Sequence, residues 1–130
     1  MPNHYFSRRL YQYSAPFSHF VEHSGSGFTA GIIGQRRDNG LLVSHDVAEQ
    51  CAAMMDNLKT LLEELGLGLS DLVRTTVFLT DYEDFDVINS VYARCLTEPF
   101  PVRTTIQVAA LPLGAKVQID TVAALRDGTR

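Results

Sequence analysis

One segment of the chain combines a fixed cation with a short strand, and its residue types could bind a small acid. Arg103 follows Pro99 and Pro101 and lies in the run Val102–Val108, which is rich in β-branched residues. A guanidinium is planar, always charged and able to donate two parallel hydrogen bonds to one carboxylate. Folding alone gives little reason for a single arginine here. The segment therefore predicts a carboxylate-binding site centred on Arg103.

The elements that position this segment follow from hydrophobic spacing and turn residues. The predicted order is three strands (Leu10–Tyr13, Ser18–Glu22 and Phe28–Ile33), a helix (Asp46–Leu65), a strand (Leu72–Leu79), a helix (Asp84–Leu96) and two strands (102–109 and 115–124). Apolar residues at spacings of three and four give each helix one buried stripe, so each helix can cover only one side of a sheet. The order β-β-β-α-β-α-β-β predicts an α+β domain over residues 1–130, with both helices on one sheet face.

Alternation along the last two strands predicts one polar side on each. The polar rows are Arg103, Thr105 and Gln107 on the first strand, and Lys116, Gln118 and Asp120 on the second. We expect both rows to face away from the helices, where they could be solvated or could line an interface between subunits. If the two strands are neighbours, an ion pair between Arg103 and Asp120 is the alternative, and such a surface pair contributes little stability.

Composition argues against several kinds of partner. The net charge is −4 and the basic residues form no stripe, so nucleic acid is not expected as the main partner. No apolar run approaches the roughly 20 residues that span a bilayer. Residues 1–5 also lack the apolar stretch of a secretory signal. We therefore expect a cytoplasmic protein with no membrane partner.

The cysteines and histidines leave two further alternatives. Cys51 and Cys95 lie in helical patterns among apolar neighbours, which favours free buried thiols over a disulfide between them. His19 and His23 could point from one strand face as a metal pair. No third ligand accompanies them in the sequence, so no metal is expected.

Taken in order, the motifs resemble those of the RidA family, also called YjgF or L-PSP proteins. The resemblance covers nearly the whole chain, from Ala15–His19 through Ala30-Gly31 and Thr75–Leu79, and it is most specific at Phe100–Thr105 and Val108–Pro112. It implies a fold like that of the chorismate mutase of bacilli, with a mixed β-sheet, assembled as a homotrimer with clefts between subunits. It also implies a cofactor-free hydrolysis of small 2-imino and 2-enamino acids to 2-keto acids and ammonia.

The same resemblance implies the roles of individual residues. Arg103 would hold the substrate carboxylate, and the backbone around Gly31 and Thr105 would contact the substrate. Phe17, Phe85 and Asn89 would shape the pocket.

Three of these positions depart from the family pattern. Gln118 stands where the active deaminases usually carry a glutamate that is thought to position or activate water, and an amide cannot accept a proton from water at neutral pH. Phe17 and Thr105 stand where a tyrosine and a cysteine are usual.

The leading hypothesis is thus a trimeric deaminase in which Arg103 holds the carboxylate and a positioned water, contacted by Gln118, attacks the imine carbon. The alternative is a non-catalytic carboxylate-binding or chaperone-like trimer that has lost this chemistry. A ribonuclease, the activity in the family's older name, has little support. The chain is acidic and lacks the histidine pair, or histidine–lysine pair, typical of general acid–base cleavage of RNA.

Overall fold

The computed structural model describes residues 1–126, which form a mixed sheet with two helices packed against it. The elements are β1 (Asn3–Tyr5), β2 (Phe20–His23), β3 (Ser26–Thr29), β4 (Ile32–Ile33), α1 (Val47–Glu64), β5 (Leu72–Leu79), α2 (Phe85–Cys95), β6 (Val102–Gln107) and β7 (Val117–Ala124), with short 3₁₀ turns at Leu69–Asp71, Tyr82–Asp84 and Pro112–Gly114. The strand order is β1-β2-β3-β7-β5-β6, and β4 also pairs with β7. Only the β5–β6 pairing is parallel among these strands. The predicted α+β class is confirmed.

Helix α1 supplies much of the core, and its ends follow from local sequence. The Asp46 side chain accepts a hydrogen bond from the Glu49 N–H at 2.9 Å and so caps the first turn. Gly66 has a φ of +74°, and the N–H groups of Gly66 and Leu67 bond to the Glu63 and Leu62 carbonyls. This pairing ends the helix in a Schellman motif, which favours glycine at the left-handed position. The stripe between these ends is buried against the sheet and α2.

The first third of the chain differs from the prediction. Residues 10–13 are not a strand, because side chains satisfy the backbone locally: the Leu10 N–H bonds to Ser7 Oγ, and Gln12 Nε2 bonds to the Ser7 and Leu10 carbonyls. The first strand is instead β1, which pairs with β2. The predicted strand Phe28–Ile33 is interrupted at Ala30 and Gly31, and its two parts, β3 and β4, both pair with β7. Residues 1–126 thus contain seven strands, not six.

The direction predicted for the polar row of β6 is also wrong. Thr75 of β5 is the Cα partner of Arg103, and its hydroxyl lies 2.7 Å from the Tyr92 hydroxyl of α2. Because Cα partners in a ladder share a face, Arg103 and Thr105 point toward α2 and not away from it. Val102 and Ile106, which alternate with them along β6, lie on the other face and are 58% and 42% exposed. The polar residues are on the helix side because α2 offers them polar and aromatic partners.

We call the opposite side of the sheet the helix-free face. Its residues on β3, β5, β6 and β7, assigned from the ladder register, are Phe28, Arg74, Thr76, Phe78, Val102, Thr104, Ile106, Gln118, Asp120 and Val122. On β7 the prediction agrees with the structure, since Gln118 and Asp120 do face away from the helices. Strand β5 separates β6 from β7, and Asp120 faces away from the helices whereas Arg103 faces α2. An ion pair between Arg103 and Asp120 is therefore excluded within this chain.

Neither helix offers a membrane-spanning segment in residues 1–126: none is both long and apolar enough to cross a bilayer.

Candidate functional site

A pocket of about 450 Å³ lies between one side of α2 and the start of β6, and we call it the Arg103 pocket. Phe85, Asn89 and Tyr92 line it from the helix because spacings of four and seven residues place them on one helical face. The complete lining is Phe85, Asn89, Tyr92, Ala93, Phe100, Pro101, Arg103 and Thr105. Four of the predicted site residues, Phe85, Asn89, Arg103 and Thr105, are thus brought together here.

The guanidinium of Arg103 is held in one plane by its neighbours. Its Nε donates to Thr105 Oγ1 at 2.8 Å, and its Nη2 donates to Asn89 Oδ1. Its Cζ atom lies 4.7 Å from the ring centroid of Tyr92 and 5.7 Å from that of Phe85. Aromatic faces attract a cation at these distances. The hydrogen bond between the Tyr92 and Thr75 hydroxyls in turn fixes the ring on which the guanidinium stacks.

This arrangement orients Arg103 without neutralising it. An amide oxygen and a hydroxyl accept two of its five N–H donors, and no carboxylate of residues 1–126 forms an ion pair with it. Three N–H groups, both on Nη1 and one on Nη2, have no acceptor among those residues. Nη1 and Nη2 form one edge of the guanidinium, which is the geometry that binds a carboxylate through two parallel hydrogen bonds. The pocket is therefore suited to one carboxylate group.

Sequence reasoning missed Tyr92, Ala93, Phe100 and Pro101 as lining residues. Tyr92 belongs to the buried side of α2, where it is 4% exposed, and it also supports Arg103. The signal that could have identified it is its spacing from Phe85 and Asn89. Phe100 and Pro101 lie three and two residues before Arg103, so a pocket centred on Arg103 could have been expected to include them.

The other predicted residues form a second cluster around Gly31 and Gln118. A Cβ atom on Gly31 would lie 2.5 Å from Gln118 Nε2, so a side chain at this position would displace the Gln118 carboxamide. The Gln118 carboxamide makes no hydrogen bond within residues 1–126. Phe17 is largely exposed, and its ring centroid lies 5.2 Å from that of Tyr13, which lines a small cavity together with Gly31. We call these residues the Gly31–Gln118 cluster.

Within a single chain, Gln118 does not lie near Arg103. Gln118 is the Cα partner of Phe78, and Phe78 is the partner of Ile106, so Gln118 lies two strands from β6. That separation is about 10 Å. Gln118 also faces the helix-free side, whereas Arg103 and Thr105 face α2. The predicted site is thus divided between two faces of the sheet.

His19 belongs to the core. It is 5% exposed, and its Nδ1 accepts a hydrogen bond from the Ser7 N–H at 2.7 Å. Burial lowers its pKa from the usual 6.5, although the Glu64 carboxylate acts in the opposite direction. His23 is exposed at the far end of β2, so the two side chains do not form an accessible pair. Residues 1–126 contain no cluster of three or more His, Cys, Asp or Glu side chains that could hold a metal ion.

Both cysteines are free thiols. Cys51 is fully buried, and burial raises its pKa to about 12. Burial also raises the pKa of Cys95, although Arg94 acts in the opposite direction. Because the thiolate is the reactive form, neither side chain is suited to nucleophilic chemistry at neutral pH.

Comparison with known proteins identifies the family. The family model described as Endoribonuclease L-PSP matches residues 8–125. The chain belongs to the RidA/YjgF/L-PSP family. This confirms the family predicted from the motifs.

Relatives and solved structures support this assignment. The 2-iminobutanoate/2-iminopropanoate deaminase of Homo sapiens is 36% identical over 108 residues, which are 83% of this chain and 79% of that protein. The structure of E. coli TdcF with bound serine has a TM-score of 0.88 at 30% identity, covering 95% of this chain and 99% of that chain.

Reactive Intermediate Deaminase A, chloroplastic, of Arabidopsis thaliana is 36% identical over 110 residues, which are 85% of this chain. The match spans 59% of the length of that plant protein. Since its name places it in the chloroplast, the cytoplasmic location expected for this chain stays a prediction.

Proposed function

We propose that this chain is a hydrolytic deaminase that converts 2-imino and 2-enamino acids to 2-keto acids and ammonia. The observation that carries the proposal is the Arg103 guanidinium, which is oriented by Asn89, Thr105 and Tyr92 yet has no carboxylate partner in residues 1–126. The human relative, a 2-iminobutanoate/2-iminopropanoate deaminase, supports the reaction class. The serine bound to TdcF shows that a structural relative binds a small carboxylate.

For this reaction the protein mainly has to orient the substrate and the attacking water. The carbon of a protonated imine is already electrophilic, so water can add to it when both are held in place. The new C–O bond forms as the C=N electron pair moves to nitrogen, and a proton passes from the added water to that nitrogen. The hydroxyl oxygen then forms the C=O bond with its lone pair as the C–N bond breaks, the hydroxyl proton passes to the departing ammonia through solvent, and the 2-keto acid remains. Two hydrogen bonds from Arg103 to the carboxylate would fix the plane of the adjacent carbon, and no cofactor is needed.

We propose further that the complete site forms between copies of a homotrimer. The helix-free face carries exposed apolar side chains, including Phe28 of β3 at 45% exposure and, three strands away on β6, Val102 and Ile106. Such a face is typical of a protein interface. Because Val102 alternates with Arg103 on the edge strand β6, a second copy on this face would lie next to the Arg103 pocket. It could then supply the Gly31–Gln118 cluster and Phe17.

A second candidate function is a carboxylate-binding trimer without the deaminase chemistry. Gln118 favours it, because an amide can hydrogen-bond a water molecule but cannot take its proton. Both candidates use Arg103 in the same way. They differ in whether the bound acid reacts.

The test generates 2-aminoacrylate from serine with a dehydratase and follows pyruvate release with and without the protein. The variant is Arg103→Ala, and the matched control is Arg36→Ala, which removes an exposed arginine that pairs with Asp38 and does not line the pocket. Calorimetry with 2-oxobutanoate measures binding separately. We expect acceleration that Arg103→Ala abolishes and Arg36→Ala leaves intact.

Other results would change the assignment. Binding of the keto acid that depends on Arg103, without acceleration, would favour the binding protein. Acceleration and binding that both survive Arg103→Ala would contradict both candidates. Cleavage of RNA that disappears in Arg103→Ala would instead support a ribonuclease.

A further inference from the structure

The wall of the Arg103 pocket beyond the guanidinium is apolar. It consists of Phe85, Ala93, Phe100 and Pro101, and Phe100 is 46% exposed at the rim. The polar oxygens nearby are already engaged. Asn89 Oδ1 and Thr105 Oγ1 accept hydrogen bonds from Arg103, and the Tyr92 hydroxyl bonds to Thr75. A ligand held by its carboxylate would therefore place its side chain against carbon.

The pocket is also larger than a short-chain imino acid requires. A three-carbon imino acid has six non-hydrogen atoms, and about 30 Å³ each, the share of one water molecule in the liquid, gives about 180 Å³. The pocket holds about 450 Å³. In a single chain more than half would stay unfilled by such a ligand, and a longer side chain would share this space with the residues that a second copy contributes. Pockets of a few hundred Å³ commonly bind considerably larger molecules.

We propose that the site selects 2-imino acids with a branched aliphatic or aromatic side chain over those with a methyl or ethyl group. The inference rests on the proposed binding of the substrate carboxylate by Arg103. The side chain of the substrate packs against Phe85 and Phe100. The small side chain of Ala93 leaves the space that the substrate side chain occupies. Each additional buried methylene can favour the larger substrate by about 10-fold or more, so kcat/KM rises from the alanine-derived imine to the leucine- and phenylalanine-derived imines.

The experiment compares imines made from L-alanine, L-leucine and L-phenylalanine by an L-amino-acid oxidase with catalase, in competition with semicarbazide. Ala93→Leu narrows the pocket, and Ala52→Leu is the matched control because both alanines are exposed on helices and Ala52 does not line this pocket. Calorimetry with pyruvate and with 4-methyl-2-oxopentanoate measures the same preference without chemistry. The readout is the large-to-small ratio of kcat/KM, or of affinity.

We expect a ratio of at least about 10 that Ala93→Leu lowers about 10-fold and Ala52→Leu leaves unchanged. A preference for the alanine-derived imine, or a ratio insensitive to Ala93→Leu, would overturn the inference while leaving the deaminase intact. If no imine is hydrolysed but 4-methyl-2-oxopentanoate binds more tightly than pyruvate and Ala93→Leu removes the difference, the selectivity stands and the deaminase fails. Absence of both hydrolysis and keto-acid binding would overturn both.

Discussion

Replacing Asn89 with aspartate tests the proposed use of Arg103 with almost no change of shape. Asn89 Oδ1 accepts a hydrogen bond from Arg103 Nη2, and the substitution puts a carboxylate oxygen in the same place. The pocket walls stay as they are, but the guanidinium gains an anionic partner within the chain. We expect Asn89→Asp to lose affinity for 2-keto acids and to keep its stability.

The size of the effect follows from Coulomb's law. A substrate carboxylate on the open edge of the guanidinium would lie about 6 Å from the new charge, and at an effective dielectric constant of about 20 the repulsion is roughly 3 kcal/mol. That energy corresponds to a Kd about 100-fold larger. The new pair with Arg103 is half-buried and contributes at most about 1 kcal/mol, so the free energy of unfolding should not fall.

The assay is calorimetric titration with 2-oxobutanoate, together with urea unfolding of each variant. Asn39→Asp is the matched control, since it adds the same charge on an exposed loop where Asn39 Oδ1 accepts a hydrogen bond from the Leu41 N–H. The control should bind like the unmodified chain. Equal affinity in Asn89→Asp and in the control would refute the reasoning, because a carboxylate bound at Arg103 must sense the neighbouring charge.

Two further predictions concern proton transfer and stability. Gln118→Glu should raise kcat on 2-aminoacrylate by about 10-fold or more, because a carboxylate can accept the proton of the attacking water. Steady-state kinetics measures this, and an unchanged kcat would contradict the prediction. Burial lowers the pKa of His19, so the folded state binds fewer protons than the unfolded state below the usual value of 6.5. Stability should therefore decline as pH falls from 7.5 to 5.5. In His19→Gln the urea midpoint of unfolding should decline less steeply with falling pH. An unchanged slope in this variant would argue against His19 as the source of the pH dependence.

The sequence determines α1 well because several local signals agree there. Asp46 can cap the first turn, the apolar stripe is continuous, and Gly66 permits the left-handed residue that ends the helix. Residues 10–13 illustrate the opposite case. Their apolar and aromatic composition fits a strand, but Ser7 and Gln12 hydrogen-bond to the nearby backbone and remove the need for a ladder partner.

Some residues of the candidate site could be predicted from the sequence, but their arrangement could not. Motifs identify Arg103, Asn89 and Gln118 individually. Alternation along β6 separates its two rows but does not say which row meets a helix. That depends on α2, whose inner side presents Asn89 and Tyr92 to the Arg103 pocket. The strand order, which puts β5 between β6 and β7, is a long-range property that spacing along the chain does not encode.

The placement of Arg103 and Gln118 on opposite sides of one sheet has a genetic consequence. If each active site contains residues of two chains, Arg103 comes from one chain and Gln118 from the other. A variant lacking Arg103 and a variant lacking Gln118 then each leave the other half of the site intact. Co-expression would then yield mixed assemblies in which some junctions combine an intact arginine with an intact glutamine. Two inactive alleles would therefore restore part of the activity when expressed together, whereas each variant expressed alone would stay inactive.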